Sequence, residues 1–259
     1  MTATRHHALV DRFVRARKDK AMAVLEGFHA LKHALRFGAA VELVVAADPA
    51  AIAQIAEDLA PDLHGRLGAV AVEQVPPELL SRLAPRVPHT QVLSLAARPP
   101  FDGDRLRRDR DTGAIVLLED PRDLGNIGAV VRAAAGAGAG GVVTTGTHDP
   151  WDASAIRGST GLHYALPVGR DESFTTDTGE RPLLALDPDG ELLDPARLPP
   201  DGVLAFGTER DGVSDALLAR ADARLRLPMR AGVSSLNLAT AVAAVLFAWR
   251  LADLAPRDS

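Results

Sequence analysis

Apolar positions recur along the chain with two periods, one helical and one extended. In EGFHALKHALRFG (26–38), Phe28, Leu31, Ala34 and Leu35 share a helical face, and Gly38 is a natural helix end. VELVVAAD (41–48) reads as a strand. PAAIAQIAEDLAP (49–61) reads as a helix opened by Asp48-Pro49 and closed by Pro61, with further strands at VAVEQV (70–75) and TQVLSLAA (90–97). Together they predict a small α/β unit over residues 1–98. RPPFDGDRLRRDRDTG (98–113) is rich in Pro, Gly and charge and nearly empty of apolar residues, so a linker is expected over 99–112.

From residue 113 to 259 the alternation resumes. AIVLLED (114–120), GGVVTTG (140–146), PLLALD (182–187), GVLAFGTE (202–209) and ARLRLPM (223–229) read as strands. NIGAVVRAAAGAG (126–138), DASAIRGSTG (152–161), SDALLARA with a Ser214 cap, and a long terminal run from 234 to 254 read as helices. Continuous apolar strands separated by helices predict a mainly parallel sheet covered on both faces.

Gly136, Gly138 and Gly141 spell G-x-G-x-x-G, the fingerprint of a dinucleotide-binding turn. That turn needs its first glycine after a strand and its last at the start of a helix. Here the order is reversed: the glycines follow a helix and precede a strand. They read as a helix stop and a turn, which counts against a nicotinamide-dependent oxidoreductase.

The chemistry points upstream, where EDPRDLGNIGAVVR leads from a strand end through a loop into a helix, the usual place for ligands in open α/β sheets. Asn126 alone reads as a helix cap, and Arg132 alone as a surface arginine. Six residues set the two roughly 120° apart on an ideal helix.

Composition is that of an ordinary globular protein, 47% hydrophobic and 24% charged. The absence of cysteine removes disulfides, thiolate nucleophiles and Cys-ligated zinc. His29 and His33 stand four apart without a third ligand, so no metal is expected. The N-terminus lacks the apolar stretch of a secretory leader, and LNLATAVAAVLFAW is short of the about 20 residues that span a bilayer. The expectation is a cytoplasmic protein without membrane contact. Net charge is −5, yet residues 1–40 hold eight Lys/Arg against three acids. Such a segment is a solvated helix face by default and a phosphate-reading surface if the rest of the chain handles nucleic acid.

NIGAVVR (126–132), LAFGTERDGVS (204–214) and LRLPMRAGVSSLNLATAVAAVLFAW (225–249) resemble, in order and spacing, the three motifs of the SpoU (TrmH-like) branch of the SPOUT RNA methyltransferases. LEGFHALKHALRFG (25–38) resembles the first helix of the ribosomal-protein-like domain often fused to this family. AIRGSTGLHYALPV (155–168) resembles its R-A-S-x-G segment, with Gly158 where Ala is commoner. In VPHTQVLSLA (87–96) the chain departs from a glycine that family members often carry after the Gln.

This resemblance implies an α/β fold with a C-terminal SPOUT domain that ties a trefoil knot, behind a small α/β substrate-binding domain. It implies transfer of the methyl group of S-adenosyl-L-methionine to a ribose 2′-hydroxyl of RNA. Ribosomal RNA is favoured over transfer RNA by the N-terminal resemblance; a non-catalytic RNA-binding or assembly protein is the alternative. Asn126, Arg132, Glu209, Ser235 and Asn237 fall on the family's polar active-site positions. Leu186, Gly207, Leu227, Met229, Ser235 and Leu236 fall on its cofactor pocket. With its pKa above 12, Arg132 suits a phosphate and hydroxyl clamp better than a base. Arg5, Arg12, Arg15, Arg17, Lys18, Lys20 and Arg157 become candidate RNA contacts, and a homodimer through the C-terminal domain is implied.

Overall fold

The computed structural model describes residues 2–208 and 210–254, apart from the side chains of Thr2, Ala3 and His64. It separates into two units, one of residues 1–100 with 151–165, the other of 101–150 with 166–259.

In the first unit, α1 (Thr2–Ala16), β1 (Met22–Glu26), α2 (Phe28–Arg36), β2 (Val41–Ala46), α3 (Pro49–Leu59), α4 (His64–Gly68), β3 (Val72–Gln74), α5 (Pro77–Leu83) and β4 (Val92–Ala97) follow one another. The strands form a mixed sheet in the order β1-β4-β2-β3, antiparallel except for β2 with β3. Side chains alternate across a strand. Val45, Leu93 and Leu95 therefore pack with Leu9 and Phe13 of α1 and Leu79, Leu80 and Leu83 of α5. Val44, Ala46 and Val92 point the other way, onto Phe28, Leu31 and Leu35 of α2 and Ile52 of α3. The Asp48 side chain accepts the N–H groups of Ala50 and Ala51, which starts α3 where Asp48-Pro49 predicts it.

The second unit begins inside the expected linker. Residues 103–108 form α6 (Gly103–Arg108), capped by Asp102, and Leu106 is buried in the unit's core. Arg107 is also buried, with its guanidinium 4.2 Å from the centre of the Phe174 ring and 2.8 Å from Asp171. Arg181 holds the same stretch through its backbone carbonyls. Fully buried, it donates to the carbonyls of Leu106, Arg107, Asp109, Gly113 and Asp201 and to the Thr112 hydroxyl. A buried cation is tolerated where every N–H finds an acceptor, and here all partners but Asp201 come from the stretch 98–113 in which composition marks a linker.

Then come β5 (Ile115–Leu118), α7 (Leu124–Ala137), β6 (Gly141–Thr144), α8 (Ala153–Ser159), β7 (Val168–Arg170), β8 (Leu183–Leu192), β9 (Val203–Phe206), α9 (Asp215–Arg220), β10 (Ala223–Arg226) and α10 (Leu238–Leu254). Except for α8, these belong to the second unit, where six parallel strands stand in the order β10-β8-β9-β5-β6-β7. The chain runs outward from β5 through β6 to β7, then returns to the other side of β5. The sheet therefore has its switch point between β5 and β9, and ligands of open α/β sheets sit at the strands' C-terminal ends beside such a point. Helices α7 and α10 pack together, and Gly138 caps α7 in the left-handed conformation, φ +75°, donating to Ala134 and Ala135 carbonyls. That is the role the order of elements assigns to the glycine cluster.

Residues 151–165 fold with the first unit. Helix α8 packs on β1 and α2, and the Gly161 backbone lies so close to Ala30 that a Cβ on Gly161 would stand 2.5 Å from the Ala30 carbonyl oxygen. His33 Nδ1 sits 2.7 Å from the Thr160 carbonyl oxygen, so the neutral ring donates there. Burial pushes this imidazole below its ordinary value; the Thr160 bond opposes the shift, and Lys32, Arg36 and His29 add to it. A histidine pKa lowered in the folded state means that the unfolded chain binds the extra proton first, so stability rises with pH. The contribution is complete above the unfolded value near 6.5 and is lost as pH falls through the folded one. Urea unfolding of the full chain at pH 7.5 and 5.5 should show a lower midpoint at the acidic value. His33→Asn should flatten that difference; an unchanged slope in the variant would show that another group carries it.

Candidate active site

The C-terminal ends of β5 and β9 bring together segments far apart in sequence. Leu118 and Phe206 stand in register at the ends of their strands, and the Glu119 N–H extends the pairing by donating to the Phe206 carbonyl at 2.8 Å. Asp123 then opens α7 by accepting the Asn126 N–H at 2.7 Å. The cap is Asp123, so Asn126 is not the capping residue that it resembles in isolation. It lies in the first turn of α7, and its side chain serves elsewhere.

That side chain meets Asn237. Asn237 Nδ2 donates to Asn126 Oδ1 at 2.9 Å, across 111 residues of chain. The Asn237 Oδ1 accepts the N–H groups of Ala239 and Thr240 at the start of α10. An amide has one oxygen and one NH₂, so capping α10 with the oxygen turns the NH₂ toward Asn126 and fixes which end of Asn126 faces it. The first and third motifs are thereby joined by one hydrogen bond with a defined polarity.

Arg132 is exposed on α7, two turns along, with no hydrogen-bond or ion-pair partner among the described residues. Ser235 is exposed in the loop before α10 and likewise makes no hydrogen bond there. Glu209, the fifth polar candidate, lies outside the described residues. Its neighbours Thr208 and Gly212 exchange backbone hydrogen bonds of 3.0 and 3.2 Å, and the Asp211 N–H donates to the Thr208 hydroxyl.

Of the cofactor candidates, Leu186, Gly207, Leu227 and Met229 are half-buried and Leu236 is exposed. Gly207 is required by its own backbone neighbours: a Cβ there would lie 1.8 Å from the Gly212 carbonyl carbon. The loop 227–236 contains one backbone hydrogen bond among the described residues, Val233 N–H to Arg230 carbonyl. Half-buried leucine and methionine beside backbone groups without internal partners suit a ligand that combines a flat ring with polar edges. S-adenosylmethionine has that chemistry, so these residues fit it.

Two acids absent from the motif reading are prominent here. Asp123 could have been found from its place three residues ahead of Asn126, the spacing of an N-cap. Glu119 receives both the N–H and the hydroxyl of Ser214, at 2.8 and 2.6 Å, a long-range contact that no local pattern announces.

The SpoU rRNA Methylase family description fits residues 113–247, just over half of the chain. The chain belongs to that family. It is 30% identical over 200 residues to a 23S rRNA (adenosine(1067)-2′-O)-methyltransferase of Streptomyces azureus, covering 71% of each protein. A 23S rRNA (uridine(2479)-2′-O)-methyltransferase of Streptomyces viridochromogenes is 31% identical over 202 residues, 73% of this chain and 64% of that one. The solved structure of the SpoU methyltransferase AviRb from Streptomyces viridochromogenes, in complex with the cofactor AdoMet, is similar at a TM-score of 0.73 and 25% identity. That likeness covers 95% of this chain and 99% of AviRb.

The basic candidates of the SpoU chain's first unit divide into three groups. Exposed Arg5 pairs with half-buried Glu73 at 3.0 Å, and Arg12 pairs with Glu42 at 3.1 Å in the open. Arg17 and Arg157 instead hold the Glu26 carboxylate, whose side chain is 1% exposed, at 2.9 and 2.5 Å. Arg17 also donates to the Leu83 carbonyl. Both therefore have a structural task, because releasing either would leave a buried carboxylate undercompensated. Arg15, Lys18 and Lys20 are exposed and have no carboxylate partner among the described residues.

The double duty of Asn237 can be tested by two variants. Asn237→Ala removes the α10 cap and should lower unfolding stability by about 1 kcal/mol. Asn237→Asp keeps the cap acceptor and should hold stability near wild type while setting an oxygen against Asn126 Oδ1. Urea titrations should therefore separate the variants; equal losses would refute the capping assignment.

Proposed function

We propose that this chain transfers the methyl group of S-adenosylmethionine to a ribose 2′-hydroxyl of ribosomal RNA. The carrying observation is the Asn237–Asn126 hydrogen bond at the β5–β9 switch point, with Arg132, unpaired among the described residues, on the same helix as Asn126. Family membership and the named activities of the two Streptomyces relatives support the reaction type and the RNA class. AviRb's complex with AdoMet supports the cofactor.

When bound, S-adenosylmethionine supplies an electrophilic methyl group on a sulfonium. What this chain contributes is placement, since in-line transfer demands the attacking oxygen in one position and direction. Leu186, Leu227, Met229 and Leu236 would enclose the adenosyl part, with the backbone of Gly207 and of the 227–236 loop meeting its polar edges. Arg132, a donor that keeps its proton, would clamp an RNA phosphate and orient the ribose. Asn126, held by Asn237, would keep the hydroxyl in register, with Glu209 and Ser235 completing the polar set. Arg5, Arg12, Arg15, Lys18 and Lys20 would add affinity through phosphates and make it salt-dependent. Arg5 and Arg12 would exchange exposed ion pairs, worth little in water, for RNA phosphates.

The homodimer belongs to the same proposal. Phe247, Leu251 and Leu254 are 44%, 68% and 63% exposed and lie at helical spacing on α10, a stripe suited to a second copy. Phe247→Glu with Leu251→Glu should convert a dimer to a monomer in sedimentation equilibrium; an unchanged mass would remove this helix from the interface.

The activity itself is tested with labelled S-adenosylmethionine and ribosomal and transfer RNA lacking native modifications. We expect label in a ribose 2′-O position of ribosomal RNA. Arg132→Ala should lower the transfer rate at least about 100-fold, the scale of losing a positioned charge, while cofactor binding by calorimetry stays unchanged. Near-wild-type transfer by this variant would refute the clamp. Failure of the parent chain to bind the cofactor would leave an RNA-binding assembly protein as the better reading.

A further inference from the structure

Glu119 follows β5 directly, on the strand that leads into the Asn126 helix. Its carboxylate accepts two hydrogen bonds from one residue, Ser214, across 95 residues of chain: the N–H on Oε2 at 2.8 Å and the hydroxyl on Oε1 at 2.6 Å. Ser214 is itself a junction. Its hydroxyl oxygen accepts the Leu217 N–H at 3.3 Å and so caps α9, while its N–H closes the segment that began at the end of β9.

That segment, residues 207–213, is fastened at each end. At its start, β9 pairs with β5, and Glu119 N–H donates to the Phe206 carbonyl. At its close, Ser214 is held by the Glu119 side chain. One residue thus grips both ends of the second motif, the first with its backbone and the second with its carboxylate. Within the segment, the Thr208–Gly212 backbone bonds and the close approach of Gly207 to Gly212 leave little slack. A carboxylate is the side chain suited to the task, because it offers two acceptor oxygens and no donor to two converging donors.

We propose that Glu119 is a positioning residue for methyl transfer: it sets Gly207 and the close of the second motif against the strand that leads into the helix of the first. This rests on the methyltransferase reading above. Glu119 acts through Ser214. The bond is half-exposed, so breaking it loosens a loop without opening the core.

The test uses the full chain with Glu119→Ala, Ser214→Ala, both together, and Glu119→Gln. Three readouts are taken: methyl transfer kinetics, urea unfolding, and amide hydrogen exchange of residues 207–214, which needs no substrate. Glu119→Ala should lower kcat 10- to 100-fold with the KM for RNA within twofold, keep its unfolding midpoint, and speed exchange in the segment at least tenfold. Ser214→Ala should fall less, since its N–H still reaches the carboxylate. In kcat and in exchange the double variant should be no worse than Glu119→Ala, because there both remove one interaction, while the lost α9 cap lowers only the unfolding midpoint. Glu119→Gln, which retains one good acceptor, should recover part of the loss. Wild-type kcat in Glu119→Ala, additive losses in the double variant, or unchanged exchange would each overturn the proposal. If the parent chain transfers no methyl group at all, the functional reading fails and the catalytic purpose of Glu119 fails with it. Exchange then reports separately whether the tie exists.

Discussion

The parallel pairing of β5 with β9 is the constraint on which the rest of the second unit depends. Both strands are buried throughout, and a slip of one residue would turn every side chain to the opposite face. The register Leu118 to Phe206 is therefore held by the whole core, from Ile115 and Leu117 to Val203 and Ala205. Because the sheet reverses its order at this pair, the connections that leave its strand ends run to opposite sides. The two loops that leave them come out side by side.

Beside those strand ends stands a set of helix caps with second tasks. Asp123 starts α7 and so fixes the backbone of Asn126. Asn237 starts α10 and orients the Asn126 amide. Ser214 starts α9 and is gripped by Glu119. Helix N-termini have N–H groups that must be satisfied, so a polar residue there costs the fold nothing. A site assembled from caps is rigid because the helices need the same bonds. Arg132 lies outside this economy, paired with nothing among the described residues, as suits a group kept for a substrate.

The first unit handles its charge differently. Its basic surplus looks uniform along residues 1–40, yet Glu26, buried at the end of β1, takes up Arg17 together with Arg157 from a distant stretch. The ion pairs of Arg5 and Arg12 are exposed and exchangeable. Burial of the partner carboxylate, rather than the arginine itself, decides which cation is structural.

The amino-acid sequence by itself determined the elements with strong local causes. The Asp48 and Ser214 caps, the Gly138 stop, the apolar strands around residues 115 and 203 and the long α10 all follow from periodicity and capping, which act over a few residues. The motif residues were legible as a set through resemblance, but their physical partners were not. That Asn126 is capped by Asp123 and bonded to Asn237, that Glu119 grips Ser214, and that residues 151–165 fold with the first unit were decided by the tertiary structure. So was the ordering of residues 101–112, whose composition marks a linker until the buried Arg181 gathers their carbonyls. Apart from the local Asp123 cap, the deciding bond in each case joins groups tens of residues apart. Its partner is set by which strands share a sheet, and no local pattern of polarity encodes that.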